Sequence, residues 1–277
     1  MLPLRARCSI LVAALLAGCA GPRQSAAPPP PEAVEPPPPP GPNYYFCQHV
    51  RKPLEIDGKI MEDGWERARW TELFVDIEGS ARPAPRHGTS VKMMWDQQYL
   101  YVGAVMDEPD LRASLTEHDS IIYNDNDFEV FIDPDGNSRD YYEVEINAFN
   151  TIFDLYLPKT YDAGGKADLD WNCEGLKTAV RINGTLNDPS DRDVGWSVEM
   201  AIPWSALAPH ANVPSPPRPG DVWRINFSRV QWQFTVADGA YETVPDTPED
   251  NWVWSPQGVI NMHKPYEWGY VEFIRQW

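Results

Sequence analysis

Acidic side chains at alternate positions are the first feature of this sequence that could do chemistry. Four of them lie in segments where apolar and polar residues alternate, namely Glu129, Glu143, Glu145 and Glu199. Two carboxylates facing a cleft at about 5 to 10 Å can hydrolyse a glycosidic bond. The chain contains 41 acidic residues, however, so some such pair is expected by chance. A hydrolytic pair is therefore an alternative and not our leading interpretation.

Tryptophan is the second such feature, because flat aromatic rings stack on the apolar faces of sugars. The chain contains 12 tryptophans, and Trp252 and Trp254 lie in the polar segment Asn251–Ser255. Packing in the core explains most of the 12. The polar surroundings of these two indicate a binding loop, and we expect one or both to contribute to a carbohydrate-binding surface.

Several motifs of catalysis and nucleotide binding are absent from the sequence. There is no G-x-x-x-x-G-K, no G-x-S-x-G and no H-E-x-x-H. The five histidines are scattered along the chain, with no pairing typical of a zinc site. The net charge of −18 opposes binding to nucleic acids, since phosphates are bound through clustered Lys and Arg. Neutral partners are therefore favoured.

A candidate calcium site follows the segment around Val130. Asp133, Asp135 and Asn137 alternate like the start of a loop of oxygen ligands. The residues that follow lack the spacing of an EF-hand, and a turn stabilised by Asx side chains explains the pattern as well. Both interpretations stay open at this point.

The N-terminus predicts a secreted and anchored protein. Residues 1–18 have the basic start and short apolar run of a signal peptide. The run Leu16–Cys19 resembles a bacterial lipobox, so we expect Cys19 to carry a lipid that anchors the chain to the membrane. Residues 19–42 form a Pro-rich linker with an extended polyproline II tendency. We predict a lipid-anchored protein of the bacterial envelope, with the outer membrane as its destination.

Residues 43–277 then form the folded domain. They contain two cysteines, Cys47 and Cys173, which could form a disulfide in an oxidising compartment. Two free buried thiols are the alternative.

The elements that must position these side chains have a period of two, which is typical of half-buried strands. The segments with this pattern are Thr89–Trp95, Tyr99–Met106, Asp127–Asp133, Asp140–Leu157, Leu176–Ile182, Trp196–Ile202, Val222–Trp232 and Trp268–Ile274. Turn residues separate several of them. The sequence predicts an all-β fold, a two-sheet antiparallel β-sandwich with jelly-roll or immunoglobulin-like layers and a few short helical turns.

A family resemblance covers nearly all of residues 46–274. Its parts are Leu54–Trp65, Val91–Trp95, Asp127–Asp133, Gly195–Glu199 and Trp268–Val271. In their order and spacing these segments resemble the family 9 carbohydrate-binding modules. The resemblance implies a β-sandwich that holds the terminal sugar of a polysaccharide between two aromatic rings, with calcium in a structural role.

The resemblance also implies positions for the sugar-binding residues. Tyr123 matches the first ring, and Trp252 or Trp254 matches the second. Glu129 and Asn147 match the carboxylate and amide that bind hydroxyl groups. In place of the family's arginine this chain has a glutamate, Glu145.

The leading hypothesis is therefore non-catalytic binding of a neutral polysaccharide or oligosaccharide, such as xylan, in support of carbohydrate catabolism. One alternative is a glycoside hydrolase activity. Another is haem binding, since related sandwich domains ligate haem and Met93, Met94, Met106 and His118 are available, although core packing explains the methionines better. The last alternative is a purely structural protein of the envelope.

Overall fold

Strands make up most of the regular structure in the computed structural model, which describes residues 41–61 and 64–275. The strands of these residues are β1 (Tyr44–His49), β2 (Val75–Asp76), β3 (Thr89–Trp95), β4 (Tyr99–Asp107), β5 (Asp127–Asp133), β6 (Tyr141–Asn147), β7 (Ile152–Leu157), β8 (Lys177–Asn183), β9 (Gly195–Pro203), β10 (Val222–Gln231), β11 (Phe234–Ala237), β12 (Ala240–Thr243), β13 (Asp250–Val253) and β14 (Gly269–Ile274). The helix α1 (Trp204–Leu207) is a single turn, and 3-10 turns occur at Gly79–Ala81, Ile122–Asn124, Tyr161–Ala163, Ala208–His210 and Pro265–Glu267. The all-β prediction is confirmed.

One large curled sheet contains twelve of these strands, in the order β7-β6-β5-β10-β14-β1-β3-β4-β9-β8, with β13 paired to β10 and β2 paired to β13. The hairpin β11–β12 forms a separate two-stranded sheet. Every pairing is antiparallel except those of β1, which lies parallel to both β14 and β3. The predicted two-sheet antiparallel arrangement is corrected in this detail, because β1 pairs in parallel on both sides and joins the two halves into one sheet.

The main core lies between the two halves of the curled sheet, as in a β-sandwich. Val130 and Phe227 from one half belong to the same buried cluster as Val102 and Met200 from the other. Because neighbouring residues of a strand point to opposite faces, alternate positions enter this core. Burial of each such side chain contributes about 1.5 to 3 kcal/mol.

Each half of the sheet also has an outer face, and non-strand segments cover both. We call one the Trp65 face, where the segment 50–68 packs Ile60 and Trp65 on Met94 of β3 and Tyr101 of β4. The other is the cleft face, the outer side of β5, β6, β7, β10 and β13. Here Phe131 and Phe153 pack with Met262 and Trp268 of the segment 257–268.

Several predictions from the sequence have a definite outcome in the fold. Cys47 and Cys173 are both buried free thiols, so the disulfide prediction is wrong. Met93, Met94 and Met106 are core residues with at most 1% of their surface exposed, so none of these three methionines is accessible to a haem.

The predicted signal peptide (1–18), the lipidation site Cys19 and nearly all of the linker 19–42 lie outside the described residues. None of the helices in the described part of the chain has the length and apolar character needed to cross a bilayer.

Candidate functional site

A cleft of about 450 Å³ opens on the cleft face. Its apolar floor is formed by residues of the strands, among them Phe131, Phe153, Leu155 and Val230. Its rim comes from loops on both sides, and includes Ile121, Tyr123, Tyr161, Leu169 and Ile260. The sheet therefore supplies a fixed base, while the loops supply the exposed side chains that could contact a ligand.

Two tyrosines give the cleft half-exposed aromatic rings. Tyr123 is 46% exposed and Tyr161 is 45% exposed. Two hydrogen bonds fix the backbone of Tyr123, which lies in a 3-10 turn. The Tyr123 N–H donates to Glu145 Oε2 (3.1 Å), and the Tyr123 carbonyl accepts from Trp232 Nε1 (2.8 Å). The ring of Tyr161 lies edge-on to that of His263, with 4.5 Å between ring centroids. Both rings are thus held in place and retain exposed surface.

Three glutamates line the cleft between these rings. Glu129 of β5 pairs directly with Glu145 of β6, and Glu143 lies two residues before Glu145 on the same face. All three are buried, at 5%, 2% and 5% exposed respectively. Asp127, two residues before Glu129, is also fully buried. The residues of the site thus include four neighbouring carboxylates on one side of the sheet.

Burial and mutual repulsion change the protonation of these groups. Burial raises the pKa of Glu129 from its ordinary value of 4.5 to about 7, and the Ser228 hydroxyl partly offsets this effect. The pKa values of Asp127, Glu143 and Glu145 are raised well above their ordinary range, first by burial and then by the charge of Glu129. The four groups therefore favour protons or another positive charge.

The neutral polar groups of the cleft are Asn251, Asn261 and His263. Burial lowers the pKa of His263 to about 4, so its ring is neutral at physiological pH. His263 Nδ1 lies 3.1 Å from the hydroxyl of Tyr141, and its backbone N–H donates to Asn261 Oδ1 (2.8 Å). These side chains can exchange hydrogen bonds with hydroxyl groups.

Asn147, predicted to bind hydroxyl groups, has a different position. It is fully buried, and its amide nitrogen donates to Leu115 O (2.8 Å) and Asp125 Oδ2 (3.0 Å). Its oxygen accepts from the N–H groups of Phe149 and Thr151, each at 3.0 Å. With every polar atom in use, Asn147 stabilises the turn after β6 and does not line the cleft.

Trp252 and Trp254, predicted to offer a sugar-stacking ring, are buried at 2% and 1% exposed. Both belong to the main core, on the inner side of the sheet. The ring of Trp254 packs so closely on Gly269 that a Cβ there would lie 2.3 Å from it. The expectation is therefore corrected. The residues on either side of Trp252 face the cleft instead: Asn251 lines it, and Val253 packs with the apolar residues at its base.

The predicted calcium ligands form a hydrogen-bonded turn between β5 and β6. Asp133 accepts from the N–H of Gly136 (2.9 Å) through one oxygen and from that of Ser138 (2.8 Å) through the other. Asp135 accepts from Asn137, whose own oxygen accepts from the N–H of Arg139 (2.7 Å). These hydrogen bonds fit the turn interpretation. Calcium binding at these residues stays a prediction, because an oxygen that accepts one N–H can still bind a metal ion.

Two other groups of side chains in the described residues could hold a metal ion. One oxygen each from Asp127, Glu129 and Glu145 lie within 4.8 Å of one another at the base of the cleft. The second group is His118, Asp119 and Asp154, of which the first two are exposed. Neither group contains Asp133, Asp135 or Asn137, the metal ligands predicted from the sequence.

Sequence reasoning found part of this site. Tyr123 and Glu129, for which the sequence suggested sugar binding, both line the cleft, and so does Glu145. Their sugar-binding role stays a prediction. Tyr161 and Asn261 were missed, because each lies in an irregular loop where periodicity gives no information. The only signal for Tyr161 is an aromatic residue in the polar, glycine-containing segment Lys159–Gly165.

Comparison with known proteins identifies what the chain is similar to. Residues 56–225 match the family model described as "Carbohydrate family 9 binding domain-like". Endo-1,4-beta-xylanase A of Thermoanaerobacterium saccharolyticum is 29% identical over 154 residues, which is 56% of this chain and 11% of the xylanase. The chain thus matches a small part of that enzyme.

Solved structures with a similar fold carry the same family name. A family 9 carbohydrate-binding module from Caldicellulosiruptor kristjanssonii, in complex with cellotriose, has a TM-score of 0.54 and 16% identity, covering 85% of this chain and 95% of the module. Its complex with glucose gives a TM-score of 0.55 at 16% identity, covering 85% and 97%. At 16% sequence identity, this structural similarity shows a shared fold.

Proposed function

Because the matching family model spans residues 56–225, the chain belongs to the carbohydrate family 9 binding domain-like family, and we propose that it binds carbohydrate without catalysing a reaction. The observation that supports this most strongly is the cleft with two fixed, half-exposed tyrosines on the outer side of the sheet. Its volume lies in the range of about 300 to 1,000 Å³ that is usual for small-ligand sites.

The ligand we propose is the end of a neutral β-linked glucan or xylan chain. A similar module was solved with cellotriose and with glucose, and one relative that matches in sequence is a xylanase. In this proposal Tyr123 and Tyr161 stack on the faces of the sugar, and Asn251, Asn261 and the glutamates bind its hydroxyl groups. Tyr161 thereby takes the role that the sequence suggested for Trp252 or Trp254.

The arrangement of the carboxylates argues for binding and against hydrolysis. A glycosidase places its two carboxylates on either side of the bond that it cleaves. Glu129 and Glu145 are directly paired on adjacent strands, and Glu143 projects from the same face. All three therefore approach a ligand from one side, which suits recognition.

We further propose the cellular setting and the finer fold class. The lipobox-like run at Cys19 and the Pro-rich linker support an outer-membrane lipoprotein that holds its binding domain away from the bilayer. A jelly-roll layering is supported by the likeness of the curled sheet to the solved family 9 module.

Calorimetric titration of the purified full chain with cellotriose and xylotriose, in buffer with calcium, tests the proposed function. We expect saturable binding to at least one of them. Tyr123→Ala should weaken it at least tenfold, or about 1.4 kcal/mol, because a stacking ring is removed.

Tyr266→Ala is the matched control, since Tyr266 is 51% exposed but lies outside the cleft lining. Its affinity should equal that of the wild type. Absence of binding to both sugars, or an equal loss in Tyr266→Ala and Tyr123→Ala, would contradict the proposal.

A further inference from the structure

The base of the cleft concentrates negative charge without a compensating side chain. Among the described residues, no ion pair joins a lysine or arginine to Asp127, Glu129, Glu143 or Glu145. Burial of ionised carboxylates in such a place is strongly unfavourable unless an opposite charge accompanies them.

The cations that lie nearest along β10 are committed to other partners. Arg229 projects from the opposite face of the strand, where it forms a buried ion pair with Glu108 (3.0 Å). Arg224 projects from the same face, but its guanidinium donates to the carbonyls of Trp268 and Tyr266 (2.9 Å to the latter). His263 Nε2 lies 3.9 Å from Glu143, beyond hydrogen-bond distance. Within residues 41–61 and 64–275, therefore, no lysine or arginine neutralises the cluster.

Two oxygens of the cluster also lack hydrogen-bond partners. Asp127 Oδ2 and Glu143 Oε2 are buried and accept no hydrogen bond, and their residues are 0% and 5% exposed. Two backbone groups donate to the cluster, the N–H of Val230 to Asp127 Oδ1 (3.0 Å) and that of Tyr123 to Glu145 Oε2 (3.1 Å). The Ser228 hydroxyl acts on Glu129. Buried polar atoms in folded proteins nearly always have a partner, so these oxygens indicate a missing ligand.

The spacing of the oxygens identifies the kind of ligand. One oxygen each from Asp127, Glu129 and Glu145 lie within 4.8 Å of one another. Calcium binds carboxylate oxygens at about 2.3 to 2.6 Å, so ligands around one ion are separated by at most about 5 Å. A single ion thus fits among the three side chains.

We propose that Asp127, Glu129 and Glu145 bind a calcium ion at the base of the cleft, and that hydroxyl groups of the sugar complete its coordination. The coordination of calcium by sugar hydroxyl groups rests on the proposed function, whereas the calcium site itself does not. In this inference calcium links the acidic base of the cleft to a neutral sugar. Calcium takes six to eight oxygen ligands. Three carboxylates leave positions open on the cleft side, where Glu129 and Glu145 are among the lining residues.

Calcium titration of the chain after removal of metal with EDTA tests the ion site. We expect calcium to raise the melting temperature of the wild type and to bind with a measurable heat. Glu145→Gln should weaken calcium binding at least tenfold. This variant should fold, because the substitution removes one charge from a repulsive cluster, and its melting temperature in EDTA should equal or exceed that of the wild type.

A control variant separates this site from the second group of side chains. Asp154→Asn changes the His118–Asp119–Asp154 group and should leave the main calcium response unchanged. The proposal is overturned if millimolar calcium changes neither heat nor melting temperature. It is equally overturned if the response survives in Glu145→Gln and is lost in Asp154→Asn.

Sugar titrations with calcium and with EDTA distinguish this proposal from the proposed function. Sugar binding that is lost in EDTA and restored by calcium supports both. Sugar binding that is equal in the two buffers overturns the calcium proposal alone. Calcium binding with no sugar binding in either buffer supports the ion site and contradicts the proposed function. Binding of a cationic amino sugar in EDTA, with no response to calcium, overturns the ion site in favour of a cationic ligand.

Discussion

Glu199 on the Trp65 face and Glu129 on the cleft face are both buried glutamates, at 1% and 5% exposed. Glu199 accepts three hydrogen bonds, from the N–H groups of Asp57 (2.8 Å) and Gly58 (2.6 Å) and from Trp65 Nε1 (2.6 Å). Glu129 has the Ser228 hydroxyl and three carboxylates as neighbours, in place of three donors. A buried glutamate is therefore stabilised by hydrogen-bond donors on one outer face of the sheet and is repelled by other carboxylates on the other.

The difference shows how a structural carboxylate can be told from a functional one. Glu199 ties the segment 50–68 to β9, because its oxygens are saturated by donors from that segment. In the Glu129 cluster, by contrast, Asp127 Oδ2 and Glu143 Oε2 are buried and accept no hydrogen bond. Saturation with hydrogen bonds, and not burial, separates the two roles.

The largest expected effect is the loss of stability in Glu199→Ala. The substitution leaves three donors without an acceptor, and each unsatisfied buried group costs about 1 to 3 kcal/mol. We expect the free energy of unfolding, measured by urea denaturation, to fall by about 3 kcal/mol or more. Glu129→Ala, measured in EDTA, is the matched comparison, and its free energy of unfolding should fall by less. Equal losses in the two variants would break the distinction between the faces.

The next effect is a dependence of stability on pH in metal-free buffer. The folded pKa of Glu129, about 7, lies above its ordinary value of 4.5. The folded state therefore binds this proton more tightly than the unfolded state, and the stabilisation is complete below about pH 4.5 and is lost as the pH rises through about 7. Asp127, Glu143 and Glu145 act in the same direction.

Thermal unfolding in EDTA measures this dependence. The melting temperature should fall by several degrees between pH 5 and pH 8, since each kcal/mol corresponds to about 2 to 4 °C for a domain of this size. Calcium should reverse the fall at pH 8. A melting temperature that rises over this range would show that the cluster is compensated by groups that we have not identified.

The smallest expected effect is that of Glu145→Arg, which places a positive charge beside Glu129. The new guanidinium should pair with the Glu129 carboxylate and remove the need for calcium. We expect sugar affinity in EDTA to exceed that of the wild type in EDTA by about tenfold, or 1.4 kcal/mol, measured by calorimetry. An affinity that still requires calcium would contradict the role given to Glu145.

The sequence predicted the strands more accurately than the site. Segments such as β3 and β5 begin and end where predicted, because period-two alternation is a local property of the chain. Alternation also shows that Trp252 and Trp254 share a face, but it does not show which face is the core. That depends on the partners of β13, which are β10 and β2.

The missed features of the site depend on contacts between distant residues. Tyr161 reaches the cleft because its turn packs against His263, more than 100 residues away. The clustering of Asp127 with Glu145 follows from the register of β5 and β6, which fixes which residues lie opposite each other. The sequence identified Glu129 and Glu145 as residues of interest. It could not show that, among the described residues, no lysine or arginine forms an ion pair with them.

Hydrogen–deuterium exchange of the full chain, with and without a saturating oligosaccharide in calcium buffer, tests the central claim most directly. Binding in the cleft should slow exchange in the loops that carry its rim, at Ile122–Asn124, Tyr161–Ala163 and residues 259–263. Residues 57–61 on the Trp65 face should exchange at an unchanged rate. Slower exchange at residues 57–61, with none at the rim, would place the ligand on the other face and contradict the account.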